Sequence, residues 1–245
     1  MPRFFVGRDD IEDNIITVRG DDAYHIARSL RMAAGDSVIL TAGEGVDYLC
    51  TLERIRDEEC LCRIEEERAS AGESPVRVTL YMAYPKGDKM ETVTQKAVEL
   101  GASGIVPFES ERCIKRPPAD KADKLTARLS RIAEEAAKQC GRSRLPRVHA
   151  PVKFSAMLKA ASAHSLTLFC YEGEGARSLR SVLEERGEGV SDIGVIVGSE
   201  GGFSPREAEE IIAAGCECVN LGPRILRCET APDYVLSAIS YHYEL

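Results

Sequence analysis

The strongest constraint on this chain lies between Ile193 and Thr230, in IGVIVGSEGGFSPREAEEIIAAGCECVNLGPRILRCET. An apolar run, Ile193 to Val197, fits a buried strand. Gly198, Gly201 and Gly202 then fall within five positions, where the chain can take φ > 0 and a ligand can approach the backbone closely. A helix start follows directly, with Ser204 as N-cap, Pro205 at the first helical position and Glu207 closing a capping box. The helix is expected to run through Ile211 and Ile212 and to stop at Gly215. A short strand, Cys218 to Leu221, leads to a second tight turn at Gly222-Pro223 and a last helix capped by Thr230 and Asp233. Two strand ends therefore carry glycine turns with one helix between them. In open α/β sheets, ligands bind beyond such carboxyl ends.

The spacing G-S-E-G-G-F is not the dinucleotide pattern G-x-G-x-x-G, and no G-x-x-x-x-G-K-[ST] occurs. For one such turn, a ligand-free strand-to-helix connection is an equal reading. A second turn that carries Arg224, Arg227 and Glu229 together favours a site.

With 245 residues the chain can build one large domain or two modest ones. Its 44% hydrophobic content is that of a soluble protein, and no apolar run approaches the length of a membrane span. The N-terminus, MPRFFVGRDD, lacks the apolar core of a signal peptide. Nine cysteines occur with irregular spacing and no C-x-x-C. The pairs Cys60-x-Cys62 and Cys216-x-Cys218 read as residues sharing one face of a strand, so no zinc site is expected and a reducing cytoplasm is the expected location. Although the net charge is −8, the segment Arg112–Arg147 holds eleven Lys or Arg against four acids. That asymmetry suggests one surface meant for a polyanion.

Residues 1 to about 68 read as short strands: Phe4–Val6, Ile15–Val18, Val38–Thr41, Tyr48–Leu52 and Cys60–Ile64, with a hairpin turn at Gly43-Glu44-Gly45. One helix, from about Asp22 to Leu30, places Ile26 and Leu30 at i, i+4. A small β-barrel fits this pattern. Arg28 and Arg31 either complement the helix dipole or contact a ligand. His25 reads as a half-buried packing residue. The polar stretch EEERASAGESP, 65–75, has the composition of a linker, so the domains are placed at 1–70 and 74–245.

The second domain opens with an apolar strand, Val76–Tyr84, then a helix from about Lys89 to Leu100 and a strand Gly104–Phe108. Strands alternating with helices imply an α/β class with a largely parallel sheet. Ser110-Glu111-Arg112-Cys113 sits just past a strand end. Pro117-Pro118 breaks the chain before a long helix, Asp120–Cys140. Lys121, Lys124, Arg128, Arg131 and Lys138 form one stripe of that helix and lead into Arg142 and Arg144. The stripe reads as a polyphosphate-facing surface, with a solvated charged face as the alternative. Leu166–Cys170 is a further strand, and Tyr171-Glu172-Gly173-Glu174-Gly175 is its glycine-bearing loop.

GSEGGFSPRE followed by LGPRILRCETA resembles the signature of the RsmE family, the 16S ribosomal RNA uridine-N3 methyltransferases of the SPOUT class. The blocks PKGDKME (85–91), QKAVELG (95–101), SERC (110–113) and QCGR (139–142) occur in family order, and His25 with Leu30-Arg31 matches more loosely. The resemblance spans essentially the whole chain. It departs at Ser199, where the family commonly has proline, at Cys228, where threonine is usual, and at Pro232-Asp233, where apolar residues are typical. The resemblance implies an N-terminal PUA-like barrel, a C-terminal SPOUT-type α/β domain with a trefoil knot, and a homodimer. It also implies methyl transfer from S-adenosyl-L-methionine to N3 of a uridine in 16S rRNA or the small ribosomal subunit, without membrane or metal.

On that resemblance the cofactor is expected among the loops 171–175, 198–202 and 221–226, at Tyr171, Glu172, Gly198, Glu200, Gly201, Leu221, Gly222, Ile225 and Leu226. Gly201→Val is accordingly expected to fill the cofactor's space. RNA is expected at Arg28, Arg31, Lys124, Arg128, Arg131 and Arg144. The uridine N3 carries a proton on the Watson–Crick edge, so the base must be unpaired and the proton must leave. A carboxylate can take it, or guanidinium groups can stabilise the anion, and the candidates are Arg112, Arg142 and Glu229. Glu229 either acts directly or fixes an arginine, and Arg227 either acts or clamps the cofactor loop. Two other readings stay open: a related enzyme methylating another RNA atom, and an RNA-binding assembly factor without transfer activity.

Overall fold

Apolar side chains at every second position make the N-terminal part of the chain a sheet with one buried face. A computed structural model describes residues 1–116, 119–173, 175–186 and 189–245. The Pro117-Pro118 break and Glu174 of the third glycine loop lie outside the described residues. The chain divides into two compact units, Met1–Glu73 with Ala137–Leu145, and Ser74–Ala136 with Pro146–Leu245.

The first unit contains β1 (Arg3–Phe5), β2 (Ile11–Glu12), β3 (Ile15–Arg19), α1 (Gly20–Tyr24), β4 (Ser37–Thr41), β5 (Val46–Ile55) and β6 (Glu59–Ala69). The strands form one curled sheet in the order β1-β4-β5-β6-β3-β2, antiparallel except for the parallel β1–β4 pair. Register shifts between Leu49 and Cys50 and between Leu52 and Arg54 mark irregularities of the kind that bend a long hairpin. Ile16, Val18, Val38, Leu40, Cys50, Leu52, Cys60 and Cys62 point to one side and pack with Phe4, Ala23 and Ile26. Cys60 and Cys62 thus share a face, as their spacing suggests.

Three local expectations change. β6 continues to Ala69, so the first half of the polar 65–75 stretch is strand rather than linker, its charged side chains being exposed. The helix starts at Gly20 and passes at His25–Ser29 into a π turn, whose wider winding leaves Ile26 buried and Leu30 42% exposed. His25 is exposed, with an edge contact to the Phe4 ring.

Ala137–Leu145 is strapped to this first unit by carboxylates. Asp47 accepts from Arg3 and Ser143, Asp22 pairs with Lys138 at 3.0 Å, and Glu73 accepts from the Arg142 guanidinium and from the backbone N–H groups of Ser143 and Arg144. Gly72 permits a close approach there, since a Cβ on it would stand 2.5 Å from the Gly141 carbonyl oxygen.

The second unit reads in order β7 (Arg77–Ala83), α2 (Lys89–Glu99), β8 (Ala102–Glu109), α3 (Ala122–Cys140), β9 (Arg147–Val148), β10 (Val152–Lys153), α4 (Phe154–Ala161) and β11 (Leu166–Cys170). It continues with β12 (Arg177–Ser178), α5 (Leu179–Arg186), β13 (Asp192–Val197), α6 (Pro205–Ala213), β14 (Glu217–Asn220) and α7 (Thr230–Glu244). From Ala137 onward, α3 counts with the first unit. The sheet order is β10-β8-β7-β13-β11-β14-β12, with β9 also on β8, and every pairing is parallel. Alternating strands and helices produce this α/β sheet, as the sequence implies. The middle strands are largely apolar because both of their faces are covered.

α6 begins as its sequence predicts. Ser204 accepts from the Glu207 N–H while Glu207 accepts from the Ser204 N–H, Pro205 occupies the first turn, and Gly215 follows the helix at φ +84°. Ile211 is buried but Ile212 is 47% exposed. α7 differs. Its N-cap is Glu229, in helical conformation, so Thr230 makes no side-chain cap, and Asp233 pairs with Lys96 instead.

Candidate functional site

Four adjacent strands, β7, β13, β11 and β14, end on one side of the second unit's sheet, and the segments that follow them enclose a cavity of about 510 Å³. That volume suits a small organic ligand. The β11 loop contributes Tyr171 and Glu172, the β13 loop Gly198, Ser199, Glu200, Gly202 and Phe203, and the β14 loop Leu221, Ile225, Leu226, Arg227, Cys228 and Glu229. Lys89, the first residue of α2, closes the β7 side.

The β13 loop is tight because its residues are. Gly202 donates its N–H to the Ser199 carbonyl at 2.9 Å and takes φ +63°. A Cβ on Gly198 would come within 2.9 Å of the Phe203 ring, so only glycine lets that ring pack beneath the turn. Phe203 in turn meets Phe169 edge-on at 5.0 Å, and Phe169 stacks on Tyr171. The floor is therefore aromatic and fixed.

Part of the cavity wall is a charged cluster. The Lys89 ammonium lies 3.0 Å from a carboxylate oxygen of Glu200 and 3.0 Å from one of Glu229. Its contact with the Cys228 sulfur is at 3.8 Å. Bonding to Lys89 pulls the Glu229 carboxyl down to about 2. Glu200 is also held below the ordinary carboxylate value: burial alone would raise it, but backbone hydrogen bonds and Lys89 outweigh that. Lys89 is raised by its bonds to Glu200 and Glu229. Burial pushes the Cys170 and Cys228 thiols up to about 12.

Of the residues expected to hold a cofactor, Tyr171, Glu172, Gly198, Glu200, Leu221, Ile225 and Leu226 all line this cavity. Gly222, at φ +99°, lines a smaller adjoining recess with Glu172 and Arg224. Gly201 does not belong to the wall. A Cβ on it would stand 2.7 Å from the Arg112 carbonyl oxygen, so its bare side faces the 110–113 turn and Gly201→Val would strike that turn rather than fill the cavity.

Of the expected catalytic residues, Glu229 lines the cavity and is bound to Lys89. Arg112 is exposed beside the β13 loop and donates to the Gly201 carbonyl at 3.4 Å. Arg142 belongs to the first unit, where its side chain is 5% exposed and ion-paired with Glu73.

The basic stripe of α3 is less single-signed in the fold than along the sequence, because acids from other segments, and one from its own helix, meet it. Arg128 pairs with Glu91, Arg131 with Glu135 and Lys138 with Asp22, while Lys124 is exposed. Arg28 makes a two-point pair with Asp57, Arg31 is exposed at φ +53°, and Arg144 bridges to the Glu44 backbone.

Lys89 and Ser199 were not named as site residues from the sequence, Ser199 being noted only where the family commonly has proline. For Lys89 a signal existed, since a lysine at a helix N-terminus opposes the helix dipole and calls for local anions. Ser199 shows no such mark; its hydroxyl is buried in the wall without a hydrogen-bond partner. Among the described residues no three His, Cys, Asp or Glu side chains converge as a metal site requires, and no helix is long and apolar enough to cross a membrane.

Residues 72–240 match a family model described as an RNA methyltransferase domain, and residues 18–65 one described as an RNA methyltransferase PUA domain. The chain is 34% identical to the ribosomal RNA small subunit methyltransferase E of Bacillus subtilis, over 100% of this chain and 98% of that protein. It is 31% identical to the Synechocystis protein of the same name, over 97% of this chain and 77% of that one. The crystal structure of a ribosomal RNA small subunit methyltransferase E from Neisseria gonorrhoeae, bound to S-adenosyl methionine, superposes with a TM-score of 0.85 at 29% identity, covering 98% of this chain and 97% of that one. A methyltransferase structure from Legionella pneumophila with bound SAM gives a TM-score of 0.85 at 28% identity, covering 98% and 96%.

Proposed function

We propose that this chain, which belongs to the ribosomal RNA small subunit methyltransferase E family, transfers the methyl group of S-adenosyl-L-methionine to N3 of a uridine in 16S rRNA. The single observation that carries the reading is the cavity at the four strand ends, lined by glycine turns and by a Lys–Glu cluster. The residues present fit the cofactor. Gly198 and Gly202 bring main-chain groups to the wall, and the Ser199 hydroxyl is an orphaned buried group in that wall. Tyr171, Leu221, Ile225 and Leu226 supply apolar surface for an adenine. The bound cofactor supplies an activated methyl on a sulfonium, so the protein's part is alignment.

The acceptor proton limits what the residues can do. Glu229 is ionised but, held at about 2, is a poor proton acceptor. Its bond to Lys89 supports a holding role. Arg112, exposed beside the β13 loop, is our candidate for stabilising the uracil anion, its proton leaving to solvent. The buried pair of Arg142 with Glu73 supports a structural role in the first unit. RNA contacts are assigned to Lys124, Arg128 and Arg131 on the second unit, with Arg28, Arg31 and Arg144 on the first.

A trefoil knot in the second unit, the domain division 1–70 and 74–245, a cytoplasmic location and a homodimer complete the proposal. The exposed Tyr234 and Tyr241 on α7 support the dimer. The test is mass mapping of nucleosides from small-subunit RNA incubated with the purified protein and the cofactor. The expected product is 3-methyluridine, and methyl found on a ribose hydroxyl or a guanine would overturn the assignment.

A further inference from the structure

We infer that Lys89, Glu200 and Glu229 form a subsite that reads the amino-acid end of the methyl donor. The inference rests on the donor reading above and adds which groups recognise which part of it. The three side chains come from three separate segments, α2, the β13 loop and the start of α7, and converge at the cavity wall within 3.0 Å of one ammonium.

The charges of this cluster mirror those of the ligand. The protein side has one cation between two anions, and the Glu229 charge persists at any pH above about 2. The donor carries one carboxylate together with two cations, its α-ammonium and its sulfonium. Each protein charge therefore has an opposite number, and the summed charge of ligand and cluster is zero. A partly water-excluded cavity strengthens such pairs relative to open solvent.

Lys89 also has a donor to spare. An ammonium carries three N–H donors; two go to carboxylates, and the third rests 3.8 Å from a thiol sulfur, a weak acceptor. A ligand carboxylate is a far better partner and would displace that contact. In the same cavity wall Ser199 is 6% exposed, and its buried hydroxyl has no partner among the described residues. A buried hydroxyl with no partner calls for an explanation, and a polar ligand group provides one. Leu221, Ile225 and Leu226 of the same cavity offer apolar surface that suits a purine.

Calorimetry on the full chain separates these roles with three probes: S-adenosylmethionine, S-adenosylhomocysteine, and 5′-methylthioadenosine, which keeps the adenosine and thioether but lacks the amino-acid end. Lys89→Met and Glu229→Gln should each weaken the first two by roughly tenfold or more, the size of one charged hydrogen bond. Binding of 5′-methylthioadenosine should stay within about twofold, which also shows that each variant is folded. Lys89→Arg, which keeps the charge, should restore much of the loss. Equal weakening of all three probes, or of none, would overturn the subsite. If Lys89→Met fails to fold, Glu200→Gln carries the same comparison. Failure of the wild-type chain to bind any probe would instead remove the methyl-donor reading itself.

Discussion

Adding one methyl group at Gly201 should destabilise the second unit without reaching the cavity. An alanine Cβ there would stand 2.7 Å from the carbonyl oxygen of Arg112 and 3.0 Å from its Cβ. The oxygen is main chain, and the turn that carries it is pinned. Glu207, 1% exposed, accepts from the Glu111 N–H at 2.8 Å and from the Ser110 hydroxyl at 3.1 Å, while the Ser204 hydroxyl bonds the Glu111 carboxylate at 2.8 Å. Overpacking a site that cannot yield costs about 1–3 kcal/mol. Taking about 2 kcal/mol, a unit of this size should melt roughly 4–8 °C lower. The chain has no tryptophan, so circular dichroism is the direct assay. Gly202 provides the internal comparison. It sits at φ +63° with nothing within 4 Å of an added Cβ, so Gly202→Ala meets only left-handed backbone strain of about 1–2 kcal/mol and Gly202→Asn less. If Gly201→Ala melts with the wild type yet no longer binds the cofactor, its side chain faces the cavity and the packing argument fails.

Three further outcomes are expected. Glu207→Gln keeps the shape but places an amide among three donors, so it should cost about 1–3 kcal/mol in urea unfolding; a loss below about 0.5 kcal/mol would mean that the carboxylate is not the hub of this turn. The Glu229 carboxyl, followed by NMR, should titrate near 2, and in Lys89→Met clearly higher, because its largest lowering partner is gone. Because its folded value is depressed, its contribution to stability is present above pH 4.5 and lost as pH falls toward 2, so the variant should lose that acid-side slope. Cys50, Cys62, Cys170 and Cys228, each pushed up to about 12 by burial, should resist thiol reagents at neutral pH in the folded protein, and rapid labelling of any of them by peptide mapping would contradict their burial.

What could be read ahead of the structure was local. The capping box at Ser204 and Glu207, the stop at Gly215 and the strand at Ile193–Val197 all depend on neighbours within one turn or one strand, and each formed as its residues dictate. The glycine turns were legible because a φ near +60° to +100° leaves glycine as the natural choice, as at Gly202 and Gly222. Long-range pairing was not legible. The acids that meet the α3 stripe sit at 22 and 91, so the stripe looked single-signed until the fold brought them in. Lys89 stands more than a hundred positions from Glu200 and Glu229, and no pattern along the chain announces that meeting. Gly201 shows the same limit in reverse. Its small size was evident, but which neighbour required it depends on where residues 110–113 fold.

The most direct test of the account is a crystal structure of the protein grown with saturating S-adenosylmethionine. The account predicts the adenosine between the 171, 198–203 and 221–226 segments, with the amino-acid end against Lys89, Glu200 and Glu229. The donor bound at any other place on the chain would contradict it.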